Sequence, residues 1–269
     1  MTPQQRYLFD VQGFLHLKGA IAPDEVARAR AAAERYMDTP QQRLPPGFEV
    51  DGRLHKHGFA FDPALQALTL HPSYWPIVLE LTRGKPRLVS GTLQASRHDL
   101  DDEALRLHCA REDWGWESSR FESRDGRIFC DHTVVFPYLT DVRPGDGGVV
   151  VLPGSHKARF DRPPDLYGGG TLGDGPLPEG LVNVTPKAGD VVLISESLTH
   201  GALPWTPVDR RRIILVLRYR QQTCGAGALP AEITDRLLPE VKELAAAAGH
   251  QDVKEISKTE RVEWSGGAV

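Results

Sequence analysis

The chain has 269 residues, 40% of them hydrophobic and 25% charged, with a formal net charge of −4. That length can bury a large core, the mixed charge offers no basic field for nucleic acid or anionic lipid, and no run approaches the ~18 apolar residues of a membrane span. Cys109, Cys130 and Cys224 are too few and scattered for a disulfide framework or a zinc cluster, and the first thirty residues lack a basic start followed by an apolar run. A cytoplasmic protein acting on a small molecule is therefore expected, with no membrane or nucleic-acid partner. No signal for self-association stands out in the sequence.

Along the chain, Ala22 to Met37 reads as a helix. Pro23 suits its first position because the missing N–H is not needed there, and Asp24 and Glu25 complement the positive helix terminus. A second helix is expected over Pro76 to Thr82. From Pro86 the texture changes to short β-branched runs separated by Gly, Pro and Asp, at residues 86–97, 104–110, 127–140, 148–152, 181–184, 190–195 and 212–220. This spacing predicts a sandwich or jelly-roll barrel, mainly β with flanking helices, in one domain over residues 1–269 with its core at 86–220. Residues 158–180, with Pro163, Pro164, Gly168 to Gly170 and Pro176, are too long for a simple turn and read as a lid or binding loop. A last helix covers about 230–247, interrupted near Pro239, before a polar tail.

Three residues stand out chemically. In the strand Arg210 to Arg220, alternation puts Arg211 with Ile213, Leu215, Leu217 and Tyr219, and puts Arg210, Arg212, Arg218 and Arg220 on the other face. Arg211 is thereby selected for the interior, where a guanidinium needs a partner such as a carboxylate held bidentately; a structural salt bridge is the alternative. Eleven residues before it, His200 follows the apolar strand Val191 to Ile194 and stands beside Gly201, a suitable place for a metal ligand or for a capping histidine. In Leu105 to Ala110, His108 lies on the face opposite Leu105, Leu107 and Cys109, either structural or a second ligand.

This pattern, a histidine, a distant histidine and an arginine eleven residues after it, resembles the iron and 2-oxoglutarate signature of the phytanoyl-CoA dioxygenase family. The resemblance begins at Phe9 to Leu15, which looks like the family's opening strand. It continues through Tyr138 to Val142 and the Gly147 to Lys157 block with its Pro153-Gly154-Ser155-His156, and ends in Gly189 to Val192 and the His200 to Arg211 unit. It implies a double-stranded β-helix, or jelly roll, that oxidises an unactivated C–H bond of a small molecule in a hydroxylation-type reaction. It also implies Fe(II) and 2-oxoglutarate as cofactors, His108 and His200 as iron ligands and Arg211 as the anchor of 2-oxoglutarate, with Phe136 and Gln94 as further contacts to it. Two histidines and one carboxylate on a single face of iron leave positions open for co-substrates.

One element departs from the family pattern. The carboxylate should sit two residues after His108, and Ala110 occupies that position. His108-Cys109-Ala110 resembles the variant found in iron halogenases, where a small residue leaves room for halide. Three readings follow: chloride or water fills the vacancy, with halogenation as the alternative reaction; a nearby acid, Glu112, Asp113 or Asp131, moves in; or the metal is lost and the protein only binds a small molecule. Trp114 and Trp116, directly after His108, and Trp205 are candidate substrate contacts, with packing as the alternative use of such rings. His55 and His57 read as a solvated loop pair.

Overall fold

The computed structural model describes residues 1–98, 105–115, 119–167, 172, 175–224 and 227–248, without the side chains of Leu105, Asp113 and Trp114. The chain opens with helix α1 (Pro3–Gln12), strand β1 (Phe14–Leu17) and helix α2 (Pro23–Asp38). The pair β2 (Val50–Asp51) and β3 (Leu54–His55) follows, then α3 (Pro63–Ala67) and α4 (Trp75–Leu81). Next come β4 (Pro86–Ser96), β5 (Leu105–His108), α5 (Ala110–Trp114), β6 (Phe121–Arg124), β7 (Arg127–Cys130) and β8 (His132–Pro137). The remainder is β9 (Gly148–Val151), β10 (Val182–Asn183), β11 (Val191–Ser195), β12 (His200–Leu203), β13 (Arg212–Gln221), α6 (Ala231–Thr234) and α7 (Pro239–Ala245).

Local chemistry explains the boundaries. In α1 the Thr2 hydroxyl accepts from Gln5 N–H while the Gln5 side chain accepts from Thr2 N–H, and Gly13 ends the helix at φ +80, a left-handed conformation that suits glycine. Phe9 to Gln12, expected as the start of a strand, is therefore helical, and the strand begins at Phe14. The helix expected from Ala22 runs over Pro23–Asp38 with Pro23 in its first turn. His55 is not in a solvated loop: it lies in β3, 5% exposed and edge-on to Tyr36.

The strands form a seven-stranded sheet in the order β1-β11-β8-β13-β4-β3-β2, a four-stranded sheet in the order β10-β9-β12-β5, and the hairpin β6-β7. The strand pairs are antiparallel, and the expected jelly roll is what they build. The large sheet is buried on both faces. One face carries Leu15, Leu93, Val135, Leu193, Ile213, Leu215 and Leu217, packed with Ala29, Ala33 and Tyr36 of α2 and with Val78 and Leu81 of α4. The other carries Val134, Phe136, Val192, Ile194, Ile214 and Val216, packed against Val149 and Val151 of the small sheet. Each fully buried side chain of this size contributes about 1.5–3 kcal/mol.

The expected loop 158–180 is described in part, and Tyr167, Leu172, Leu177 and Leu181 pack with Leu107 and Val150 on the outer face of the small sheet. Arg162 ties it to the Leu107 carbonyl and the Glu112 carboxylate, each at 3.2 Å. The polar tail expected at the C-terminus lies outside the described residues from 249 onward. No helix among the described residues is long and apolar enough to cross a membrane.

Candidate metal centre

His108 and His200 end up side by side because β5 and β12 are neighbours in the small sheet, with His200 paired to His108 on one side and to Val151 on the other. Directly opposed residues share a face, so both imidazoles point into the barrel with Val151, and their ring centroids are 4.3 Å apart. Leu107 faces outward, as alternation requires. Each histidine is oriented from behind: Nδ1 of His108 lies 2.8 Å from the Arg106 carbonyl, and Nδ1 of His200 lies 2.8 Å from that of Leu198. A carbonyl only accepts, so Nδ1 carries the proton and Nε2 of each ring is left as a lone-pair donor. Burial pushes His200 down to about 4, which keeps it neutral and able to ligate near pH 7.

The third donor is Glu196. One potential ligand atom from each of His108, Glu196 and His200 lies within 4.8 Å of the others. Glu196 follows β11, and its carbonyl accepts the N–H of Ala110 at 2.8 Å, so this glutamate stands beside the position where the family's carboxylate is missing. The acid comes from the turn after β11. It is 1% exposed, and neither carboxylate oxygen has a hydrogen-bond partner among the described residues. Burial pushes its pKa up, but His200, Arg218, His132 and His108 together hold the carboxyl below its ordinary value; Arg218 is the permanent charge among them. A buried, ionised carboxylate with empty lone pairs, facing two imidazole lone pairs, is a donor set suited to a divalent cation. The iron implied by the family fits these residues.

The acids suggested by sequence are elsewhere. Glu112 pairs with Arg162, Asp131 is not in the cluster, and the Asp113 side chain lies outside the described residues. Cys109 is buried and not in the cluster, and burial raises its thiol pKa. Glu196 was legible in principle, because alternation continues the inner face Val192, Ile194, Glu196. What sequence did not give was its juxtaposition with Ala110.

The arginine assignment needs a correction. Arg211 lies before β13, is 40% exposed and pairs with Asp38 of α2 at 3.5 Å, on the helix-covered side of the sheet. Its neighbour Arg212 is 2% exposed and enters the barrel. Alternation correctly separated the two faces of the strand. Both are apolar, however, so hydrophobicity did not say which lines the barrel. Arg212 donates to Ser96 Oγ at 2.8 Å, and its guanidinium carbon is 5.9 Å from the Trp205 ring centroid. A side chain at Gly148, where φ is +86, would meet Arg212 Nη1 at 2.9 Å, so glycine makes room for the guanidinium. Tyr138 pairs with Ile214 and is 0% exposed, and its hydroxyl has no hydrogen-bond partner among the described residues. Burial raises that phenol to about 12 against the lowering effect of Arg212, so it stays a proton donor.

Gln94 is half-buried opposite Ile214, hence on this same inner face. Phe136 packs there too, 6% exposed. Trp205 is fully buried, donates to the Arg210 carbonyl at 2.9 Å and has its ring centroid 5.9 Å from the Arg212 guanidinium carbon. Trp116 and the Trp114 side chain lie outside the described residues.

The β-helix fold and the two-histidine, one-carboxylate site define a class, the iron- and 2-oxoglutarate-dependent enzymes. Within it the chain belongs to the phytanoyl-CoA dioxygenase (PhyH) family, whose model matches residues 9–213. Among solved structures it is similar to HygX from Streptomyces hygroscopicus with nickel and 2-oxoglutarate bound, at 28% identity and a TM-score of 0.66, over 82% of this chain and 87% of that one. It shares its fold with the 2-oxoglutarate-dependent carbocyclase SnoK from nogalamycin biosynthesis, at 22% identity, TM-score 0.61, 83% and 85% coverage. EctD from S. alaskensis, with 2-oxoglutarate and 5-hydroxyectoine, likewise shares the fold, at 20% identity, TM-score 0.64, 82% and 76% coverage. No curated protein sequence matches the chain.

Proposed function

We propose that the protein hydroxylates an unactivated C–H bond of a small molecule, using iron(II) held by His108, Glu196 and His200 and 2-oxoglutarate anchored by Arg212. The observation that carries this reading is the buried Glu196 carboxylate beside the two histidines. The likeness to HygX, which was crystallised with iron and also with nickel, 2-oxoglutarate and hygromycin B, supports the cofactors and a small-molecule substrate.

Bound together, iron(II) and 2-oxoglutarate supply an oxygen-dependent oxidation in which 2-oxoglutarate is consumed to succinate and carbon dioxide. The residues of the chain do the positioning. His108, Glu196 and His200 would hold the iron, and three protein donors would leave positions for the co-substrates. Arg212 stands where β13 begins, beside Gly148, and Gly148 pairs with Leu203, three residues along β12 from His200. At ~3.3 Å per residue, about 10 Å separates the two ends, a span suited to a five-carbon dicarboxylate between metal donors and guanidinium. Arg212 offers a fork, with the Ser96 hydroxyl and the Tyr138 phenol as added donors to a carboxylate. Val134, Val151, Ile194 and Leu198 keep the space between them apolar, which strengthens these charged contacts.

The halide reading rested on a vacancy at Ala110, and the Glu196 carboxylate beside that position supports a carboxylate donor instead. An anaerobic titration with iron(II) and 2-oxoglutarate, read by the visible charge-transfer band of the complex, tests this. The expected band is insensitive to chloride and lost in Glu196→Ala, and turnover in air yields succinate. A band shifted by chloride favours halogenation, and its absence from folded wild-type protein favours a non-catalytic binding protein.

A further inference from the structure

Strand β13 carries a further arginine on the inner face of the barrel. Arg218 pairs with Val134, and Val134 pairs with Ile194. Directly opposed residues share a face, so Arg218 points the same way as these two barrel residues. Ile194 lies two residues before Glu196, and the Arg218 charge acts on both the Glu196 carboxyl and the His200 imidazole, which puts the guanidinium within electrostatic reach of the donor set. Arg218 is half-buried and makes no ion pair or side-chain hydrogen bond among the described residues. Glu196 does not serve as its partner in the loaded protein, because that carboxylate is then committed to the cation. Nor does the co-substrate reach it: Arg212 lies six residues away on the same face, about 20 Å at ~3.3 Å per residue, twice the span assigned to 2-oxoglutarate.

Strand β4 supplies the polar groups beside this arginine. Ser90 pairs with Arg218, Thr92 with Val216 and Gln94 with Ile214, so the three share the inner face. A side chain at Gly91, between the first two, would meet Phe59 at 2.6 Å on the helix-covered side. Ser90, Thr92 and Gln94 are each half-buried, without a side-chain hydrogen bond among the described residues, whereas the neighbouring Val134 and Ile194 are 0% exposed. Solvent therefore reaches this wall at its polar side chains. A carboxylate docked there accepts from the guanidinium fork and keeps lone pairs for the two hydroxyls. Its single charge matches that of Arg218, whereas a phosphate monoester brings about −1.5 to −2.

We propose that Arg218, with Ser90 and Thr92, holds a carboxylate of the substrate on this wall, so that the substrate class of the His108, Glu196 and His200 centre is a carboxylic acid. The inference rests on the metal-centre reading given above. The test uses the full chain with zinc(II) and saturating 2-oxoglutarate, and calorimetry with benzoate, cyclohexanecarboxylate and octanoate, each against its amide. At least one acid is expected to bind about tenfold or more tightly than its amide, the range of a hydrogen bond to a charged group. Arg218→Met is expected to remove that preference and Arg218→Lys to keep part of it, while zinc binds no more weakly because a neighbouring cation has been removed. Ser90→Ala/Thr92→Val is expected to weaken the acid about threefold or more.

Absence of an acid preference in the wild type, or a preference that survives in Arg218→Met, overturns the inference; in the second case the carboxylate sits on the metal or elsewhere. Zinc and 2-oxoglutarate binding, measured on the same samples and followed by the same comparison without either, separate the two failures. An acid preference that depends on Arg218 in a chain binding neither keeps the carboxylate site and overturns the metal-centre reading. Normal binding of both without an acid preference overturns this inference alone.

Discussion

Replacing Glu196 by methionine removes the only carboxylate of the centre among the described residues while keeping similar volume in a site that is 1% exposed. Breaking a buried charge pairing by deleting one partner costs about 3–5 kcal/mol, which converts to a loss of metal affinity of at least roughly a hundredfold. The consequence is readable as thermal stability, because a metal that binds only the folded state stabilises it by mass action. At a concentration about 100 times the wild-type Kd, that stabilisation is about 2.7 kcal/mol, and in a variant a hundredfold weaker it is about 0.4 kcal/mol. At roughly 2–4 °C per kcal/mol for a chain of this size, zinc or cobalt should raise the wild-type Tm by about 5–11 °C and that of Glu196→Met by about 1 °C. Differential scanning fluorimetry with and without metal measures both. A variant that keeps more than half of the wild-type shift refutes the ligand assignment. Ala110→Asp added to Glu196→Met returns a carboxylate to the family's own position, and at least a tenfold recovery of metal affinity is expected.

The two adjacent arginines should part sharply. Arg212→Met is expected to weaken 2-oxoglutarate at least thirtyfold, since truncating one member of a buried charge pair costs about 2–5 kcal/mol, while metal content stays near wild type. Arg211→Met, which breaks an exposed pair with Asp38, should change it less than about twofold to fivefold; a titration of the cofactor complex giving the reverse order would sink the assignment. Tyr138→Phe removes a buried hydroxyl without a partner among the described residues, so the 2-oxoglutarate Kd should rise about three- to tenfold with no loss of metal-free Tm. His156 is pushed by burial down to about 4, below its value of 6.5 in the unfolded chain. Its contribution is therefore complete above pH 6.5 and is lost as pH falls toward 4, by roughly 3 kcal/mol. His156→Gln should flatten the stability profile in that window, and urea denaturation that shows the same slope in both proteins would contradict the burial argument.

Much of the fold was legible because its signals are local. Proline at the first turn of α2, period-two runs bounded by Gly, Pro and Asp, and the inward alternation of His108 against Leu107 all act within a few residues. The same holds for His200, which follows a strand by a fixed short distance. The opening segment was misplaced because Phe9 to Gln12 carries hydrophobic residues that fit a helix as well as a strand, and the cap made by Thr2 and Gln5 with Gly13 decided it.

The sequence by itself determined a jelly roll, and it singled out His108 and His200 as candidate ligands and Arg211 as the candidate anchor of the co-substrate. Which arginine enters the barrel was left to the tertiary structure, because β13 is buried on both faces and only the placement of α2 shows that Arg211 looks outward to Asp38 while Arg212 looks in. Tertiary structure likewise decided the third donor. The Ala110 N–H bond to the Glu196 carbonyl closes a separation of 86 residues, and a contact that long-range has no period, cap or spacing to announce it in the chain.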